Sequence, residues 1–225
     1  MFTTTYKTAS EVNNAMARVY AYMSMATVIS MLVSYLVGTS PELVQFFHTG
    51  IMHWVIIFLP VIAVLFMVPF INAEPPRVAA ALALMGFAAL MGLSMSVIFA
   101  VYTMASIFTA FMGASVLFGT LSLYGYFTKR DLSGIGDFLI VGLIALIIAS
   151  IINIFIGSST MHMVISGIGI LIFLGFTAYD TQQIREMVAE SDSVSVEILG
   201  ALNLYLDFIN LFMDLLQFVG VSNDD

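Results

Sequence analysis

Long apolar runs alternate with short polar segments along the whole of this sequence. A helix needs about 20 mostly apolar residues to cross roughly 30 Å of hydrocarbon, and seven runs reach that length. The uncharged stretch from Ala79 to Tyr126 is long enough to hold parts of two of them. The pattern therefore predicts seven membrane-spanning helices. Their expected ranges are 19–38, 51–71, 78–97, 102–126, 138–156, 163–183 and 196–220.

The composition agrees with this pattern. Hydrophobic residues make up 61% of the 225 residues and charged residues 9%, whereas an ordinary soluble domain has roughly 25% charged residues. We therefore predict an all-α integral membrane protein in which residues 1–225 form a single seven-helix domain, with a short polar N-terminal tail at 1–16. The tail lacks the pattern of a secretory signal peptide, so the first span is expected to remain in the mature protein.

The basic residues all fall on one side of the seven predicted spans. The other side, which includes Glu42, His48 and the C-terminal segment 222–225, has no lysine or arginine. Loops rich in lysine and arginine stay in the cytoplasm, so the N-terminus is expected in the cytoplasm and the C-terminus outside. The compact chain suits a bacterial plasma membrane. The basic residues are Lys7, Arg18, Arg77, Lys129, Arg130 and Arg185.

Polar side chains recur at helical spacing in the last predicted span. Asn203, Asp207, Asn210 and Asp214 are separated by four, three and four residues, so they share one face of a helix. We call these four residues the polar stripe. A charged aspartate at the middle of a membrane helix costs about 2.5 to 3.5 kcal/mol, so the seventh helix is expected at the centre of the bundle. The alternative is that asparagines and neutral aspartates join helices by hydrogen bonds.

One more carboxyl group lies within a predicted span. Asp180 comes five residues before Arg185, near the cytoplasmic end of the sixth span, and Asp207 lies eleven residues into the seventh. Consecutive helices run in opposite directions, so the two carboxyl groups can meet at depths within about two helical turns of each other. We call Asp180 and Asp207 the aspartate pair.

Two carboxyl groups that meet in a low-dielectric interior cannot both stay ionised at low cost. The aspartate pair is therefore expected to share a proton and to titrate as a unit, which would make it a pH sensor. When both groups are ionised, their oxygens suit calcium, which prefers carboxylate and carbonyl ligands. Protons and calcium should then compete for one site. We interpret Glu197 and Asp192, at the cytoplasmic mouth, as part of a solvated acidic loop.

Several other functions are not indicated. The chain has no cysteine, which excludes disulfides and thiolate chemistry. We recognise no set of nucleophile, base and orienting group, so the protein is not expected to be an enzyme. Neither a basic cluster nor a domain for nucleic acid is present. His48, His53 and His162 lack the spacing of metal ligands and are interpreted as structural or interfacial residues. No cofactor is expected besides calcium as a permeant or bound ion.

Three segments resemble the Bax inhibitor-1 family, also called the transmembrane Bax inhibitor motif family. They are "KRDLSGIGDFL" at 129–139, "AYDTQQI" at 178–184 and "LNLYLDFINLFMDLLQFVG" at 202–220. The resemblance implies six helices around a central seventh and a pH-sensitive calcium leak gated by two aspartates, which match Asp180 and Asp207. It also implies a basic latch on these aspartates, for which Arg77 is the candidate.

Two functions from different classes remain open. The first is a calcium channel in which protonation of the aspartate pair moves the seventh helix and calcium passes along the polar stripe. The second is a membrane-embedded regulator that binds a quality-control protease or another membrane partner. A proton-coupled transporter would usually show internal repeats, and we find none in the sequence. The expected partners are the lipid bilayer, calcium and protons.

Overall fold

The computed structural model describes residues 7–221, and this range contains helices and no strand. Seven helices are long and apolar enough to cross a membrane, which confirms the seven predicted spans. Residues 1–6 of the predicted tail and the segment 222–225 lie outside the described residues. The helices are α1 (Ala9–Gly38), α2 (Pro41–His48), α3 (Gly50–Asn72), α4 (Arg77–Met95), α5 (Ile98–Val101), α6 (Met104–Phe127), α7 (Ser133–Ile156), α8 (Ser159–Glu190) and α9 (Val194–Val219).

The first helix begins ten residues before the predicted start of its span. Thr8 and Glu11 form a capping box, in which the Thr8 side chain accepts from the Glu11 amide while the Glu11 carboxylate accepts from the Thr8 amide. These bonds satisfy amide groups that a helix start leaves free. The predicted polar tail is therefore helical from Ala9 onward. Hydropathy marks the part of a helix that lies in lipid and does not mark its polar extension.

The described chain divides into two compact units. Unit one contains residues 7–103 and Glu186–Tyr205. Within it, α1 and α4 approach closely, because a Cβ atom placed on Gly92 would lie 2.8 Å from the Ser30 Cα atom. The Tyr205 hydroxyl of α9 bonds to Ser30 Oγ at 2.7 Å, and Ser30 Oγ donates to the Ala88 carbonyl. The first half of α9 is thus anchored in unit one by a buried tyrosine.

Unit two contains Met104–Arg185 and Leu206–Val221. Here α6 approaches α8 closely, since a Cβ atom on Gly125 would lie 2.9 Å from the Ala178 carbonyl carbon. On α7, Gly136 lies against a side chain of α8, since a Cβ atom there would be 2.6 Å from the Tyr179 ring. Small residues at helix contacts let backbones come together where lipid offers no hydrophobic drive for association.

The last helix is the most buried of the seven spans. In its most apolar 18-residue window 67% of the residues are buried, whereas the other spanning helices reach at most 39%. Ala201, Leu202, Leu204 and Tyr205 all have 2% or less of their surface exposed, so α9 is covered in several directions around its axis. This burial is what a central helix would show. The arrangement of six helices around it stays a prediction.

Candidate functional site

The aspartate pair lies within unit two, and hydrogen bonds to α6 and to the loop after it hold the segment of α8 that carries Asp180. Ser122 Oγ of α6 and Thr181 Oγ1 are 3.0 Å apart. Gln182 accepts from the Leu132 amide at 2.8 Å and donates to the Arg130 carbonyl at 2.9 Å, which ties the loop between α6 and α7 to α8. These contacts fix the rotation of α8 around its axis, so that Asp180 has a defined direction.

Arg185 contributes an aromatic contact one turn beyond Asp180. Its guanidinium carbon lies 5.1 Å from the centre of the Tyr126 ring, a distance at which a cation is attracted to the ring face. This contact connects the end of α6 to α8 within unit two.

The second member of the pair is held in place by aromatic packing on α9. The Phe208 ring lies edge-on against Phe111 and Phe118 of α6, with ring centres 5.5 and 5.6 Å apart. Asp207, one residue earlier, is only 6% exposed. Its Oδ2 atom is buried and has no hydrogen-bond partner in the described part of the chain.

The two carboxyl groups of the pair are close enough for their charges to interact. Asp180 is half-buried and Asp207 is buried. None of the ion pairs in residues 7–221 includes either aspartate. The two acidic side chains therefore lie within electrostatic range of each other, and among residues 7–221 neither forms an ion pair with a lysine or arginine, which is an expensive arrangement if both are ionised.

The rest of the polar stripe is not uniform. Asp214 is half-buried against Gly169 of α8. Asn210 donates from Nδ2 to the Leu206 carbonyl at 2.8 Å, so this hydrogen bond lies within α9. Asn203 is exposed. The four residues of the polar stripe therefore differ in burial, because a helical wheel gives a direction but does not say which neighbours cover it.

Glu197 differs most from its sequence interpretation. We expected a solvated acid, yet its side chain is 4% exposed and contacts two arginines from different helices. Arg18 Nε of α1 donates to Oε2 at 2.9 Å, and Arg77 NH1 of α4 donates to the same oxygen at 2.7 Å. We call Glu197, Arg18 and Arg77 the charge cluster. Asp192, by contrast, is exposed and pairs with Lys7, as a solvated loop predicts.

This cluster bears on the predicted latch. Arg77 is bonded to Glu197 in this structure, so a latch on the aspartate pair would require Arg77 to exchange that partner. The one sequence signal for this cluster is the position of Glu197 in the first turn of α9, where an acidic side chain is common, and this signal does not identify its arginine partners.

Two of the histidines, His48 and His53, lie close to each other. His48 Nε2 and Ser96 Oγ are 2.7 Å apart, and the rings of His48 and His53 lie 6.3 Å from each other. Burial and the nearby His53 hold the pKa of His48 below its ordinary value. Within residues 7–221 no three His, Asp or Glu side chains are grouped so that they could hold a metal ion.

Comparison with known proteins gives long and consistent matches. The profile of the family described as "Inhibitor of apoptosis-promoting Bax1" matches residues 12–224. The chain is 38% identical to the inner membrane protein YbhL of Escherichia coli over 91% of its own length and 90% of that protein. It is 39% identical to protein RP147 of Rickettsia prowazekii over 93% and 90% of the two chains. A protein of Deinococcus radiodurans is 36% identical over 98% and 96%.

Proposed function

Because the chain belongs to the Bax inhibitor family of integral membrane proteins, we propose that it is a pH-sensitive calcium leak channel gated by Asp180 and Asp207. Its membrane is the inner membrane of a bacterium, with the N-terminus in the cytoplasm. The observation that carries the proposal is the buried Asp207 carboxyl group, which interacts with Asp180 and has an Oδ2 atom without a partner among the described residues.

The gating step follows from the cost of burying charge. When the aspartate pair holds a proton, one carboxyl group can donate to the other, and α8 and α9 stay together. When the proton leaves, two negative charges repel each other in a low-dielectric interior. Separation of the carboxyl groups, entry of water or binding of a cation then lowers the energy. The packing of α8 against α9 is thereby linked to pH.

Calcium is the cation that this chemistry favours. It binds carboxylate and carbonyl oxygens and takes six to eight ligands in total. The aspartate pair supplies two side chains, so water must complete the shell. A partly hydrated ion held by few protein ligands leaves readily, which conduction requires.

Calcium flux into lipid vesicles tests the proposal. We expect the wild-type flux to differ between about pH 6 and about pH 8, because two coupled carboxyl groups titrate as a unit. Asp180→Asn and Asp207→Asn each remove one charge of the pair. In each variant the flux at about pH 6 should therefore equal the flux at about pH 8. Asp137→Asn is the matched control, because Asp137 is an exposed aspartate of unit two and its replacement should change nothing.

Wild-type pH dependence that survives in both variants would show that the pair is not the sensor. A crosslinked membrane partner whose activity still responds to the protein after both aspartates are replaced would instead favour the regulator. That partner could be a quality-control protease, the alternative drawn from the sequence.

A further inference from the structure

The Asp214 carboxyl group occupies a notch that Gly169 leaves in α8. A Cβ atom placed on Gly169 would lie 2.7 Å from Asp214 Cγ and 3.1 Å from its Oδ1 atom. Even alanine would therefore displace the carboxyl group. Both residues belong to unit two, so the notch is formed within that unit.

This carboxyl group lacks a partner, as the aspartate pair does. Asp214 Oδ2 is buried without a hydrogen-bond partner in the range that the structure describes. Asp207 lies seven residues earlier on the same face of α9, about 10 Å away along the helix axis. The two unpartnered carboxyl oxygens are therefore too far apart to form one site.

Compensating charge is scarce around Asp214. One turn outward, Ser166 Oγ donates to Gln217 Oε1 at 3.1 Å, and both groups are neutral. Apart from tyrosine, the nearest titratable residues along α8 are seven and eleven residues from Gly169, or about 10 and 16 Å of helix. The charged or titratable groups on the helices of unit two, tyrosines apart, are Asp137 on α7, His162, Asp180 and Arg185 on α8, and Asp207 on α9, and α6 has none.

Asp214 is half-buried and its Oδ2 atom is buried without a partner among the described residues, so ionising this carboxyl group costs free energy that a bound ligand from outside the chain would offset. Calcium is disfavoured here, because it takes six to eight oxygen ligands and the notch offers one carboxyl group, whereas the aspartate pair offers two. A single proton removes the charge, and the Gly169 notch has room for a neutral carboxyl group.

We propose that Asp214, seated in the Gly169 notch, is a second proton-binding site of this protein, separate from the aspartate pair and about two turns outward of it along α9. The site does not depend on conduction. A protein of this design would bind protons at two depths in the membrane.

Infrared spectroscopy of the full chain in lipid nanodiscs tests the proposal through the signal of protonated carboxyl groups. Asp214→Asn should remove one component of that signal and leave the pH dependence of the remainder unchanged. Gly169→Ala changes no charge, but it expels the carboxyl group from the notch. We therefore expect the midpoint pH of the Asp214 component to shift by about one unit or more from its wild-type value. Gly113→Ala is the control, since its Cβ atom would meet only Leu215 Cδ1 at 3.9 Å.

The proposal is overturned if Asp214→Asn leaves the protonated-carboxyl signal intact, or if Gly169→Ala titrates as the wild type does. Gly169→Ala keeps the test decisive if Asp214→Asn does not fold. Vesicles without pH-dependent calcium flux would contradict the channel proposal alone, because the infrared result decides on Asp214 independently.

Discussion

Replacing Glu197 with glutamine is expected to lower the free energy of unfolding by about 2 kcal/mol. Removing one partner of a buried ion pair costs about 3 to 5 kcal/mol, because the remaining charge is left without compensation. The side chains of Arg18 and Arg77 are 46% and 40% exposed, so water can solvate them again, and exposed charges are worth less. The loss should be measured as reversible unfolding in detergent micelles.

Asp192→Asn is the matched control for this experiment. It removes the same charge at the same end of the molecule, but the Asp192 side chain is 96% exposed, so its loss should cost less than about 1 kcal/mol. Equal stability of the Glu197→Gln and Asp192→Asn variants would contradict the view that the charge cluster ties α9 to α1 and α4.

Replacing Gly125 with alanine should destabilise the protein by about 2 to 3 kcal/mol, in the upper part of the range for overpacking. The added methyl group would overlap the Ala178 carbonyl oxygen and lie 2.9 Å from its carbon. These are backbone atoms of α8, which cannot turn aside as the end of a side chain can. The helices α6 and α8 must therefore separate, two residues before Asp180, so the pH response of calcium flux should also weaken.

The same substitution at Gly119 gives the control. Gly119 is on α6 as well, but a Cβ atom there meets no atom within 4 Å. Alanine favours a helix over glycine by up to about 1 kcal/mol, so Gly119→Ala should be neutral or stabilising. The prediction fails if both variants unfold at the same temperature.

The sequence predicts the seven spans well because the bilayer imposes a minimum length on each apolar run. It predicts the helix ends less well. The capping box at Thr8 starts α1 in a polar segment, and α8 continues to Glu190, seven residues past its expected end. Both extensions are polar and lie outside the predicted spans. In such segments hydropathy does not distinguish a helix from a loop.

Sequence reasoning also predicts part of the candidate site. The rise of a helix places Asp180 and Asp207 at similar depths, since they lie on consecutive antiparallel spans. The charge cluster could not be inferred in this way, because Glu197 is 179 residues from Arg18 and 120 from Arg77 in the sequence. The Gly169 notch depends on how α8 and α9 are rotated, and the spacing of polar residues does not fix that rotation.

The most direct test of the central claim is the proton release that accompanies calcium binding. If protons and calcium compete for Asp180 and Asp207, adding calcium to the purified protein in weakly buffered detergent solution should acidify the medium. Asp180→Asn and Asp207→Asn should abolish that acidification, whereas Asp137→Asn should preserve it. Calcium binding without proton release in the wild type, or equal release in all four proteins, would contradict the account.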